Sequence, residues 1–216
     1  ELLRHECRGK PESLAALADA MGVARWADFV ECDGPELRRS HKDGVQNKKR
    51  GDNDDLDALR DGRQPWLTVY SDGRQRPGGR LPSAVVSGSF NPLHDGHAAL
   101  LAAARHRYGE SVAYELSTIN VDKPPLRTFE VKERLAQFEG DARVILTAKP
   151  KFVDKARILP GVTFVMGVDT AQRIVDRSYY ETHRAYLDAL DDFHALGTQF
   201  LVAGRLDDGR YVELGD

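Results

Sequence analysis

The chain has 216 residues, 41% hydrophobic and 30% charged, with a formal net charge of −3. Such a chain is globular and long enough to bury one ordinary core, and its acidic balance excludes a whole-chain electrostatic grip on nucleic acid. No apolar run approaches the ~20 residues that a membrane helix needs.

The first ten residues, ELLRHECRGK, carry no signal-peptide core and no initiator methionine, and read as a processed or trimmed start. Cys7 and Cys32 are too few for a disulfide framework, so a reducing, cytoplasmic setting is expected. With His5 and His41 they match no compact zinc spacing, and no protein-held metal is expected. Residues 11–31 have helical apolar spacing broken at Gly22, which predicts a small helical hairpin. Residues 38–64 are highly charged and turn-rich and read as a solvated loop or linker, the KKR cluster included. PWLTVY (65–70) reads as a strand and SDGRQRPGG (71–79) as a turn and short linker. A boundary near residue 80 is therefore expected, with 1–80 a mainly helical extension and 81–216 the principal domain.

From Leu81 the pattern alternates. SAVVSG, SVAYELST, ARVILTA, VTFVMG and TQFLVAG read as strands. GHAALLAAARHRYG, TFEVKERLAQFE, DTAQRIVD and YETHRAYLDALDDFHALG read as helices, and RLDDGRYVEL as a hairpin. Strands alternating with helices predict an α/β fold with a doubly wound parallel sheet. Such sheets bind ligands beyond the carboxyl ends of their strands.

The loop GSFNPLHDGH sits at such an edge. The first strand ends at Gly88 and a helix begins just after. Free backbone N–H groups and the helix dipole favour phosphate there. Gly88 and Ser89 allow close backbone approach, and Asn91-Pro92 fixes the turn. His94 and His97 share a helix face, with Gly96 leaving room between them. Two imidazole donors can stabilise charge developing on a phosphoryl group. Neither a Walker A loop nor a GxGxxG fingerprint is present. His106, His183 and His194 lie in predicted helices and read as structural or solvent-facing.

This segment resembles the HxGH signature of the nucleotidyltransferase superfamily, which includes the nicotinamide-nucleotide adenylyltransferases and cytidylyltransferases. YELSTINVDKPPL, FVMGVDTAQRIV and FLVAGR look like further stretches of cytidylyltransferase-like proteins, so the resemblance spans roughly residues 83–213. It implies a Rossmann-like nucleotidyltransferase fold. It also implies transfer of a nucleotidyl group, adenylyl from ATP, to a phosphate-bearing acceptor such as nicotinamide mononucleotide, with release of pyrophosphate. Mg²⁺ would accompany ATP or another NTP. By the same resemblance Gly88, Ser89, Phe90, Asn91 and Gly96 line the nucleotide side, and His94 and His97 hold the reacting phosphates. Lys123 supplies charge near the acceptor phosphate, and Gly167 and Asp169 meet a nucleotide sugar. Arg205 follows a strand end, from which it can reach a phosphate.

Each of the last residues also has a plainer reading. Lys123 is a surface lysine beside Pro124-Pro125, Asp169 an N-cap for a helix starting at Thr170, and Arg205 a partner for a surface acid. The superfamily's second signature, ISSTxxR, is missing from these residues. The expectation is that it follows Asp216 in the native protein, or that part of the site is lost. A nucleotide-binding or regulatory protein without chemistry is accordingly the alternative, and a DNA-associated module through the N-terminal helices is disfavoured by the net charge. The expected partners are a nucleoside triphosphate and a small phosphorylated acceptor, with no membrane or nucleic acid. A homo-oligomer is compatible with the sequence.

Overall fold

A computed structural model of the chain describes residues 24–25, 52–140, 142–207 and 210–212. The strands are β1 (Ala24–Arg25), β2 (Trp66–Val69), β3 (Gln75–Pro77), β4 (Ala84–Ser87), β5 (Val112–Ser117), β6 (Val144–Thr147), β7 (Thr163–Gly167), β8 (Gln199–Ala203), β9 (Arg205–Asp207) and β10 (Arg210–Val212). The α-helices are α1 (Asp52–Arg60), α2 (Asp95–Tyr108), α3 (Thr128–Ala136), α4 (Phe152–Ile158), α5 (Val168–Val175) and α6 (His183–Ala195).

Eight strands form one sheet in the order β1-β8-β7-β4-β5-β6-β2-β3. Its six-strand centre, β1 to β6 in that order, is parallel, while β2 pairs antiparallel with β6 and with β3. Strand β4 is where the winding reverses, since the chain goes outward through β5 and β6, then returns to β7 and β8 on its other side. The expected doubly wound α/β fold is present, and ligands bind such sheets at this reversal.

Strands β4, β5 and β6 are buried along their whole length, as parallel strands covered on both faces must be. Alternate side chains supply two separate cores. Val86, Tyr114 and Leu116 meet Leu56, Leu59, Leu101 and Val131 of α1, α2 and α3 on one face. Val85, Ala113 and Phe164 meet Ala156, Ala171 and Phe193 of α4, α5 and α6 on the other. The molecule is thus a three-layer α/β/α sandwich.

Four expectations are corrected. The boundary near residue 80 falls inside the sheet, because β2 completes the β6 edge with Leu67 opposite Leu146. The stretch 71–79 begins with the expected turn, but its Gln75–Pro77 is not linker: it is the return arm of a hairpin, with Thr68 opposite Arg76. Part of the charged 38–64 stretch is helix α1. Its Leu56 and Leu59, three residues apart, are buried although most of its other residues are polar. Within the helical reading of 11–31, Ala24–Arg25 instead runs parallel to β8, opposite Leu201 and Val202. An open strand edge offers backbone partners to any extended neighbour. The rest of that reading, with His5, Cys7, Cys32 and His41, lies outside the described residues. Helix α4 was not expected at all. The hairpin predicted near the end is present as β9 and β10.

Candidate active site

Beyond β4 the chain turns through Gly88–Leu93 into α2. Gly88 donates its N–H to the Glu115 carbonyl at 3.1 Å, which ties the loop to β5. A Cβ at Gly88 would lie 2.8 Å from the Phe90 ring, so only glycine fits there. Phe90 has φ 46°, a left-handed value that a bulky side chain adopts only when its surroundings hold it. They do: its ring is fully buried, edge-on to Tyr114 at 5.2 Å, Phe138 at 5.1 Å and His97 at 4.8 Å. Phe90 therefore anchors the loop from below, and its ring does not line the cavity described next. The Asn91–Pro92 bond is cis.

Helix α3 clamps the same loop. Gln137 accepts from the Leu93 N–H at 2.7 Å and donates to the Phe90 carbonyl at 3.0 Å, and Arg134 donates to the Ser89 carbonyl at 2.8 Å. Sequence reasoning missed both residues. They lie more than forty positions from their partners, and polar residues near a helix end carry no signal of their own.

His94 is the N-cap of α2 and His97 stands in its first turn. Their rings stack with centroids 3.7 Å apart. His97 Nδ1 accepts the His94 backbone N–H at 3.3 Å. The neutral ring must then carry its proton on Nε2, which becomes a donor. Burial first, and then the neighbouring His94, push the His97 pKa down to about 4. The ring is therefore neutral near pH 7. Gly96 lies close beneath the pair: a Cβ there would lie 3.1 Å from the His94 ring, tight enough that the ring would have to shift.

Beside this loop opens a cavity of about 260 Å³ at the carboxyl ends of β4 and β5. Ser87, Gly88 and Ser89 form one side and Asn120 to Lys123 another. Lys151, Phe152 and Lys155 enter from α4 and its approach, and Thr170 and Arg173 from α5. Among the described residues, four basic residues and one acid, Asp122, thus line one small space. Tyr180 closes part of it. Its hydroxyl donates to the Ile174 carbonyl at 2.7 Å, and burial raises its pKa to about 12.

Of the sequence-predicted residues, Gly88, Ser89 and Lys123 line this cavity, whereas Phe90, Asn91, His94, Gly96, His97, Gly167 and Asp169 do not. Gly167 is the N-cap of α5, with open space above it. Helix α5 starts at Val168, so Asp169 lies inside its first turn and is not the N-cap. Arg205 starts β9. The exposed His106, His183 and His194 lie apart from the loop on the outer helices.

Below the cavity is a buried ion pair that the sequence did not suggest. Glu115 is wholly buried, and its carboxylate accepts from Lys155 Nζ at 2.9 Å and from Thr147 Oγ1 at 2.7 Å. A lone acid in the apolar strand SVAYELST was the available signal, but its partner is forty residues away on a helix that the sequence did not reveal.

Among the described residues no cluster of His, Cys, Asp or Glu could hold a metal, and no helix is long and apolar enough to cross a membrane. A doubly wound sheet with a helix N-terminus and a cationic cavity at its reversal is an arrangement suited to phosphate. Residues 85–204, more than half of the chain, match the cytidylyltransferase-like family, and the chain belongs to it. Membership supports a nucleotidyltransferase in general. No curated protein and no solved structure matches the chain.

Proposed function

We propose that the protein transfers an adenylyl group from ATP to a small phosphorylated acceptor such as nicotinamide mononucleotide, a step of NAD biosynthesis, releasing pyrophosphate. The observation that carries this reading is the stacked His94–His97 pair on the first turn of α2, next to a cavity that gathers four basic side chains. A triphosphate takes the N-terminus of α2. The His97 Nε2–H, His94 and the free N–H groups of the first turn meet its oxygens as charge develops. Lys123 faces the acceptor phosphate. An acceptor oxygen attacks the α-phosphorus in line and the bond to the departing pyrophosphate breaks, so no covalent protein intermediate is needed. Asp169, with Gly167 leaving space beside it, meets the nucleotide sugar, and Arg205 a phosphate.

The donor set bears on Mg²⁺. One carboxylate among cations cannot cage it, so the residues fit a Mg²⁺ that arrives on the nucleotide's own phosphates. Bound there, it would supply further neutralisation of phosphate charge. The protein's part is to position both substrates and exclude water.

The test is isothermal titration with ATP beside a pyrophosphate-release assay with nicotinamide mononucleotide. Binding with acceptor-dependent release is expected. Binding without release would favour a regulatory nucleotide-binding protein, and absence of both would end the reading.

A further inference from the structure

The mechanism above leaves one buried charge pair unused. Lys155 is 8% exposed, it lines the cavity, and its ammonium lies 4.6 Å from the centre of the Phe152 ring. It has three N–H donors. Among the described residues it gives one hydrogen bond, to Glu115. Burying such a pair is costly. A second observation points the same way. Ser87, at the end of β4 and only 9% exposed, lines the same cavity, and its Oγ has no hydrogen-bond partner among the described residues. Buried polar atoms are normally satisfied. One small cavity thus holds spare ammonium donors and an orphan hydroxyl.

The charge balance selects the ligand class. Glu115 and Asp122 offset two of the four cations at the cavity, leaving a surplus of two. That matches a phosphate monoester, which carries about −1.5 to −2 at neutral pH. The His94–His97 pair does not line this cavity, so the triphosphate and the monoester have adjacent, separate places.

We propose that Lys155 and Ser87 form the floor of the acceptor subsite and bind its phosphate monoester, with Glu115 as the positioning residue that holds Lys155 in place. This assignment rests on the nucleotidyltransferase reading. Glu115 fixes the ammonium through one oxygen while Thr147 fixes the carboxylate through the other. The lysine is therefore aimed before the ligand arrives, and little side-chain freedom is lost on binding.

The test is direct titration of the full chain with nicotinamide mononucleotide, ribose 5-phosphate and inorganic phosphate, and separately with ATP. Lys155→Met alone strands a buried carboxylate and can fail to fold. The paired variant Glu115→Gln/Lys155→Met removes both charges and keeps an acceptor for Thr147. It is expected to bind the monoesters about tenfold or more weakly, with ATP affinity unchanged. Ser87→Ala is expected to give a smaller loss for the same ligands, and in turnover the paired variant raises the KM for the acceptor and leaves that for ATP alone. A wild-type chain that binds none of the monoesters overturns the proposal, as does a folded paired variant that binds them normally. Weakened ATP binding would give the cavity to the triphosphate and overturn it too. Titration does not depend on turnover, so monoester binding without pyrophosphate release would count against the transferase reading and leave the subsite standing.

Discussion

His97 shows how a single side chain serves both stability and chemistry. Its folded pKa of about 4 lies below the ordinary 6.5. Between those values the unfolded chain binds a proton that the folded chain does not, so stability rises with pH across that window and is lost as pH falls through it. We expect the wild type to lose stability from about pH 7 to about pH 5, and His97→Ala to lose less over the same interval, read from thermal melts of both proteins. Equal losses would show that the imidazole is not held neutral by the fold. The histidine pair was legible in the sequence because its chemistry depends on local spacing at a strand-to-helix turn. Glu115 and Lys155 were not legible, because a buried ion pair is a fact of topology. Glu115 sits on strand β5 and Lys155 on helix α4, and only the fold puts them 2.9 Å apart.

At the scale of elements, the loop after β4 is held by α3 as much as by its own residues. Gln137 satisfies one donor and one acceptor of the loop backbone. Gln137→Ala should cost about 1–3 kcal/mol, since two backbone groups lose their partner. It should weaken ATP binding while leaving monoester binding less affected, which denaturant melts and the two titrations can check. Unchanged ATP affinity would mean that the loop keeps its shape without α3. Long elements such as α2 and α6 were readable from their periodicity. Helix α4 was not, because seven residues between Pro150 and Pro160 give too few turns for a pattern. Helix α1 was hidden by its acids, DNDDLDALR, although Leu56 and Leu59 do bury.

For the whole molecule, the parallel core was written in the alternation of apolar strands and helices, but its edges were not. Strand β2 is too short to reveal its partner, and hairpin β2–β3 joins the sheet through residues far along the chain. A chain starting at Leu81 would lose Leu56, Leu59, Leu67 and Val69 from the core on the α1 face. At about 1.5–3 kcal/mol for each buried aliphatic side chain, that loss rivals the whole stability of a domain, about 5–15 kcal/mol. Such a chain should fail to unfold cooperatively, whereas one starting at Asp52 should keep a cooperative transition. A stable, cooperative chain from Leu81 would show that the first strands are dispensable. The central claim is that the β4 loop and the start of α2 carry out nucleotidyl transfer. Its most direct test is the rate of pyrophosphate release from ATP and nicotinamide mononucleotide by the wild type and by His94→Ala/His97→Ala. Loss of such donors should lower the rate by about 10²–10³ or more, with both proteins still folded. A doubly substituted protein that releases pyrophosphate at the wild-type rate would contradict the claim.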